Sequence, residues 1–416
     1  MIESLGALPW MTRPETRAVI EALEAVGGAG CARFVGGCVR NAILKRPIDD
    51  IDIATTLTPD AVTEALTVAG LKAVPTGIEH GTVTGIARGK PYEITTLRRD
   101  VETDGRRAVV AFTTDWAEDA MRRDFRLNAL YADPNGRIYD PTAGGLADAR
   151  AGRVVFVGDA ATRIREDALR ILRFFRFLAW YGRGDPGATG LEAVSALRGL
   201  IGGLSAERVS AELLKLLAAE DPRAVVRLMA QAGVLAAVLP EAQGLSRFER
   251  LVAIETEMLF TEDPLLRLAA LLPDDPATAA ALAERLRLAN AQRDRLVAAL
   301  NPDPPLVSWI SPKRTRQLVY RLGVGAFCDR ITLAWAASER PAATVQWRAL
   351  LPTAQSWTPP KFPLTGDEVL AAGVPKGPLV GEVMREVEAW WVDSDFPDDK
   401  LALIERLKSV AQGMAY

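Results

Sequence analysis

The spacing of apolar residues changes character along this chain. Up to about residue 150, short runs rich in β-branched and aromatic residues are interleaved with helical segments. Residues 32–35, 51–54, 82–87, 92–97 and 137–139 read as strands, and 16–25, 38–44, 59–69 and 115–122 as helices. Thr58-Pro59 is a start signal for the third of these helices, with the threonine as cap and proline at the first helical position. Beyond residue 150 the apolar residues recur at three-and-four spacing over 163–181, 206–218 and 222–232, with Ser205 placed to cap the second. Further helices are expected at 263–272, 277–300, 312–322 and 380–391, while the proline-rich stretches 301–305 and 352–363 read as linkers or bends. No repeat of fixed period and no low-complexity tract interrupts the pattern. The expected fold class is α+β, a small mixed head followed by a long helical remainder.

Composition narrows the chemistry. The chain has 416 residues, 49% hydrophobic and 25% charged, which is ordinary for a soluble protein of a few domains. It holds no apolar run long enough to span a bilayer, and Met1 to Trp10 do not read as a signal peptide. Cys31, Cys38 and Cys328 form neither disulfide nor zinc spacing, so a reduced, cytoplasmic setting is expected. His80 is the single histidine, which excludes multi-histidine metal centres. Any metal must then be held mainly by carboxylates, which favours Mg²⁺ or Mn²⁺. The net charge of −3 argues weakly against a polyanionic partner, but the arginines are clustered.

Two local features carry candidate chemistry. Asp50 and Asp52 flank Ile51, and on a strand residues two apart share a face. Two carboxylates held together suit a pair of Mg²⁺ ions about 4 Å apart, clamping an in-line phosphoryl displacement. Upstream, Phe34-Val35-Gly36-Gly37-Cys38-Val39-Arg40 reads as a strand ending at two glycines where a helix begins. Gly36 and Gly37 allow a phosphate to approach the backbone, and Arg40 can add a charged fork. Taken singly, Asp-x-Asp also describes a solvated acidic turn, and Gly-Gly a plain tight turn.

Together, Gly36-Gly37-Cys38-Val39-Arg40-Asn41-Ala42-Ile43-Leu44 and Arg46-Pro47-Ile48-Asp49-Asp50-Ile51-Asp52-Ile53-Ala54-Thr55 closely resemble the head signature of class II tRNA nucleotidyltransferases and bacterial poly(A) polymerases, within the polymerase-β-like superfamily. The resemblance implies catalytic, Mg²⁺-binding roles for Asp50 and Asp52, with Glu93 as candidate third carboxylate. Asn41 stands where the family usually has Asp; if that Asp helps hold Arg40, Asn can keep a hydrogen bond but loses the charge. Met121-Arg122-Arg123-Asp124-Phe125-Arg126-Leu127-Asn128-Ala129 looks like the second signature. It implies that Arg123 contacts the nucleotide while Asp124 and Asn128 brace the site.

Glu166-Asp167-Ala168-Leu169-Arg170 is similar to the family's base-selecting Glu-Asp-x-x-Arg element. Asp167 and Arg170 would read the base edge, and Arg173 and Arg176 would serve the phosphates or orient that pair. Asp167, Arg170, Arg173 and Arg176 recur every third residue, and a helix would carry them as a winding stripe. The plain alternative is i,i+4 pairing such as Glu166 with Arg170. In Glu207-Arg208-Val209-Ser210-Ala211-Glu212, Arg208 and Glu212 also sit at i,i+4 and are read as structural support. Residues 98–112 correspond to a flexible loop that the family uses in switching from C to A addition.

The resemblance implies a polymerase-β-like head over 1–150, a helical neck with the base-selecting helix over 151–220, and a tRNA-binding body and tail over 221–416. It implies CCA addition to tRNA, held by its acceptor and T arms, from CTP and ATP, with neither a membrane nor a protein partner required. Poly(A) polymerase, CC-only or A-only addition and a non-catalytic RNA-binding role are the alternatives. Gly77-Ile78-Glu79-His80-Gly81-Thr82-Val83 stands where poly(A) polymerases tend to carry Gly-Arg-Arg-Phe, which favours CCA addition.

Overall fold

The structure is a computed structural model that describes residues 3–104, 107–338 and 344–414. The chain divides into two compact units, 1–242 and 243–416. Among its described residues the first is built on nine strands: β1 Ala32–Val35, β2 Asp52–Thr55, β3 Lys72–Gly77, β4 Thr82–Ala87, β5 Lys90–Thr96, β6 Arg98–Asp104, β7 Arg107–Phe112, β8 Tyr131–Ala132 and β9 Ile138–Tyr139. Seven of them form one sheet in the order β3-β4-β5-β2-β1-β8-β9, and β6 and β7 form a separate hairpin. Within the sheet only β2 and β5 run parallel, which sets Asp52 opposite Glu93.

Burial explains why the middle of the sheet was legible. Phe34 and Val35 of β1, Ile53 and Ala54 of β2, and Ile94 of β5 are all buried. Val35 and Ala54 pack with Leu97, Ala120, Ala129, Tyr131 and Val157 on one side. On the other, Trp10 meets Phe34 edge-on at 4.8 Å. The edge strand β3 escaped the sequence reading because it contains Pro75, has no buried residue and bulges between Val74 and Gly77. Proline and a bulge are features of sheet edges.

Helices Ala160–Glu166, Leu169–Tyr181 and Ala206–Leu217 complete the site-bearing part of this unit. Phe174 and Phe177 of the second helix pack on Phe125 and Phe156, with Phe156 and Phe174 stacked at 5.6 Å. The single helix expected over 163–181 is therefore two. The chain leaves helical geometry at Asp167 (φ −150°, ψ 104°), whose Oδ1 accepts from the Leu169 N–H at 3.1 Å and starts the next helix. The stripe of Asp167, Arg170, Arg173 and Arg176 on one helix is corrected accordingly. Ser205 occupies the position before Ala206–Leu217, but its hydroxyl makes no capping bond. The loop expected over 98–112 is the β6–β7 hairpin, paired from Arg98 opposite Phe112 to Asp104 opposite Arg107, with residues 105 and 106 outside the described set.

The second unit is helical among its described residues. The helix expected over 277–300 is two, Pro276–Arg285 and Asn290–Ala299. Arg287 between them has φ +50°, and the Gln292 side chain accepts from the Ala289 N–H at 3.1 Å. Pro352 lies inside helix Thr344–Ser356 rather than in a linker. A core of Val383, Val387, Trp391, Leu403, Leu407 and Val410 closes the C-terminal end of this unit.

Candidate active site

The site begins where β1 ends. Gly36 has φ +70°, a region L side chains adopt at a cost, and it turns the chain into helix Gly37–Ile43. A Cβ on Gly36 would lie 3.8 Å from Arg123 Nη1, and one on Gly37 would lie 3.8 Å from Arg40 Nη2. The two arginines therefore stand directly against the glycine turn.

Arg40 is 7% exposed. Its guanidinium donates to Asn128 Oδ1, to Asn41 Oδ1 at 3.1 Å and to the Tyr181 hydroxyl at 2.7 Å, with Cζ 4.0 Å from the Tyr181 ring centre. In this arrangement Arg40 lends positive charge to the turn rather than a free fork. Asn41 does keep the expected hydrogen bond. Its amide also donates to the Pro47 carbonyl at 2.9 Å, a bond an ionised Asp lacks the proton to make, and so tethers the segment leading to Asp50.

Asp52 opens β2, and Asp50 lies just ahead of the strand rather than on it. Asp52 is partly buried, whereas Asp50 and Glu93 are exposed. Burial and then Glu93 push the Asp52 carboxyl up to about 6; Asp50 adds to the push, while Arg123 and Arg40 oppose it. Three carboxylates and both turn arginines thus share one electrostatic neighbourhood. A carboxyl that resists ionisation beside like charges is relieved by a cation, and an all-oxygen donor set suits Mg²⁺. Among the described residues no three His, Cys, Asp or Glu side chains close on a metal by themselves.

Arg123 is held from behind. Asp119, 1% exposed, accepts from Arg123 Nη2 at 2.9 Å, from Arg122 Nη2 at 2.7 Å and from the Tyr131 hydroxyl at 2.7 Å. Burial works against the Asp119 charge, but Arg123 and Arg122 outweigh it and hold its carboxyl down to about 2. Asp124 accepts from Arg173 Nε at 2.8 Å and from Asn128 Nδ2 at 3.0 Å, and Asn128 in turn accepts from Arg40.

The remaining arginines are paired rather than free. Arg170 donates to Glu166 at 2.7 Å and to the carbonyls of Arg163 and Arg122 at 2.8 and 3.1 Å. Arg176 Nε lies 2.5 Å from Glu212, and Arg173 Nη1 lies 3.8 Å from the same carboxylate. Arg208 reaches Asp167 at 2.7 Å, so the Arg208–Glu212 pair read from i,i+4 spacing is replaced by two longer-range pairs. Arg40 and Arg123 stand at the Gly36–Gly37 turn, and Asp52, opposite Glu93 in the sheet, is electrostatically coupled to Asp50 and to both arginines. Asp167 and Arg170 instead mark the break between two helices, with Arg173 and Arg176 along the second. Asp119, Tyr131 and Tyr181 were not anticipated. Asp119 was findable, because it sits three and four residues before Arg122 and Arg123 on a helical segment. Tyr181 was not, since its partner lies 141 residues away.

Residues 32–155 match the poly A polymerase head domain, and 190–245 match the domain described as a probable RNA and SrmB-binding site of polymerase A. The mitochondrial CCA tRNA nucleotidyltransferase 1 of Mus musculus is 32% identical over 397 residues, covering 90% of this chain and 86% of its own. The CCA-adding enzyme of Latilactobacillus sakei is 30% identical over 399 residues, covering 95% and 98%. The Bacillus stearothermophilus CCA-adding enzyme, crystallised with CTP, superposes with a TM-score of 0.76 at 26% identity over 97% of this chain and 100% of that one. With relatives of that identity and coverage, and the glycine turn and carboxylates in place, this chain belongs to the tRNA nucleotidyltransferase/poly(A) polymerase family, with the CCA-adding enzymes.

Proposed function

We propose that this protein adds C, C and A to the 3′ end of tRNA from CTP and ATP, releasing pyrophosphate at each step. The observation that carries this reading is the pairing of Asp52 opposite Glu93, on the strand beside the one that ends at the glycine turn where Arg123 stands. Asp50 and Asp52 would hold Mg²⁺, with Glu93 beside them. When bound, the metal supplies charge neutralisation for the triphosphate and acidifies the attacking 3′-hydroxyl. Gly36 and Gly37 let the triphosphate approach the backbone, and Arg123 faces it while Arg40 supports the turn from beneath.

We assign base selection to Asp167 and Arg170 at the helix break. An Asp carboxylate accepts from the exocyclic amine of cytosine or adenine, and an Arg donates to the neighbouring ring nitrogen. Uracil and guanine present a carbonyl where the amine should be. Arg208 and Glu166 hold the two readers, and Arg173 and Arg176, anchored on Asp124 and Glu212, keep the second helix in register. We further propose that 1–150 act as the catalytic head, 151–220 as the base-selecting neck and 221–416 as the tRNA-holding body and tail. Three cysteines without a disulfide, two of them buried, fit a reducing compartment, and we place the protein in the cytoplasm. No helix among the described residues is long and apolar enough to cross a membrane.

The test is incorporation of labelled CTP and ATP into tRNA lacking its CCA end, with Mg²⁺. Addition of three nucleotides, C before A, is the expected result. Long A tails would instead assign the protein to poly(A) synthesis, and no incorporation with intact tRNA binding would assign it to RNA binding alone.

A further inference from the structure

Asp119 gathers donors from four residues and divides them between its two oxygens. Oδ1 accepts from the Arg98 backbone N–H at 3.3 Å and from Arg122 Nε and Nη2 at 2.9 and 2.7 Å. Oδ2 accepts from Arg123 Nε and Nη2 at 3.3 and 2.9 Å and from the Tyr131 hydroxyl at 2.7 Å. The Tyr131 oxygen in turn lies 3.3 Å from Arg123 Nε, which closes a triangle around that guanidinium. Trp116 meets the Tyr131 ring edge-on at 5.2 Å and fixes it.

This arrangement has two physical consequences. An arginine with a free side chain loses rotamer freedom each time it grips a ligand, whereas one already clamped does not. A free Arg123 would also have an alternative partner. It already acts electrostatically on Asp52, so a guanidinium released from Asp119 would have that carboxylate as an alternative partner. A direct Arg123–Asp52 pair would occupy both the phosphate contact and the metal carboxylate. Asp119 removes that option, yet one carboxylate set against Arg122 and Arg123 leaves a net positive charge.

We propose that Asp119, seconded by Tyr131, is a positioning residue that holds Arg123 at the glycine turn for the nucleotide triphosphate and away from the metal carboxylates. The inference rests on Arg123 being a nucleotide contact, as argued above. Through Oδ1 the same carboxylate ties that contact to the first residue of the β6–β7 hairpin and to Arg122, whose carbonyl receives Arg170.

The test is a double-mutant cycle on MgCTP affinity, measured calorimetrically on the full chain without tRNA, for wild type, Asp119→Asn, Arg123→Ala and the pair. Asp119→Asn is expected to weaken binding about tenfold, and to change it less than about twofold once Arg123 is gone. Equal losses in both backgrounds would reduce Asp119 to a structural residue and overturn the proposal. If Asp119→Asn does not fold, the same cycle is run with Tyr131→Phe, which leaves the carboxylate in place. A loss of about twofold to threefold that vanishes without Arg123 supports the clamp, and one that persists overturns it. Unchanged affinity in Arg123→Ala alone would locate the failure in the nucleotide assignment rather than in the clamp.

Discussion

At the residue scale, Asp52 and Asp119 show how neighbours set the use of a carboxyl. Asp52 is crowded by burial, Glu93 and Asp50, and its carboxyl is pushed up to about 6. A group in that position is useful when a divalent cation enters beside it. Asp52→Asn should therefore lower nucleotide incorporation by about a thousandfold or more while tRNA binding, measured by gel shift, stays within about threefold. Incorporation close to wild type would remove Asp52 from the metal site. Asp119 is the opposite case, with its carboxyl held down to about 2. The unfolded chain, with an Asp near about 3.9, takes up the proton first as pH falls. The ion-pair contribution is thus complete above about pH 4 and is lost progressively as pH falls toward about 2, with about 2 kcal/mol at stake. Denaturant midpoints taken at about pH 6 and about pH 3 should fall less steeply for Asp119→Asn than for wild type, and parallel slopes would contradict the assignment.

At the element scale, two turns do most of the positioning. Gly36 turns β1 into its helix at φ +70°, and a Cβ there would meet nothing closer than 3.8 Å. The obstacle to Gly36→Ala is backbone conformation rather than space. The variant should lose about 2 kcal/mol of stability, and MgCTP affinity should fall with the shift of the turn. The second turn is the break at Asp167. Its carboxylate starts helix Leu169–Tyr181 through Leu169 N–H and pairs with Arg208. Asp167→Asn keeps the cap but loses the charge, so discrimination against UTP should drop by about tenfold to a hundredfold, read as misincorporation on tRNA ending in CC. Fidelity equal to wild type would count against base reading here. These turns also mark what the sequence could reveal. The glycine pair was legible because a strand must end there and only glycine is at ease at positive φ. The break at Asp167 was masked by apolar periodicity running through it, although an aspartate followed two residues later by an apolar run is itself a start signal. Pro352 misled in the reverse sense, since tertiary packing of Trp347, Leu350, Leu351 and Ala354 carries the helix through it.

At the scale of the whole molecule, the change in apolar spacing near residue 150 marks the passage from sheet to helix, not the end of a unit. The first unit runs on to Ala242, and across residue 150 Phe174 and Phe177 close over Phe125 and Phe156, a long-range packing that local periodicity cannot express. Every residue proposed to touch nucleotide or metal lies in that unit, and the second has its own buried core around Trp391. Two units with separate cores can fail separately. Residues 1–242 expressed alone should keep MgCTP affinity within about threefold of the full chain and show a cooperative thermal transition. Their affinity for tRNA should fall by about tenfold or more, because the surface assigned to the acceptor and T arms is gone. If the fragment binds tRNA as tightly as the full chain, the body and tail are not the tRNA-holding part. If it folds but loses MgCTP, the nucleotide site depends on residues beyond 242, and the turn-centred assignment is wrong.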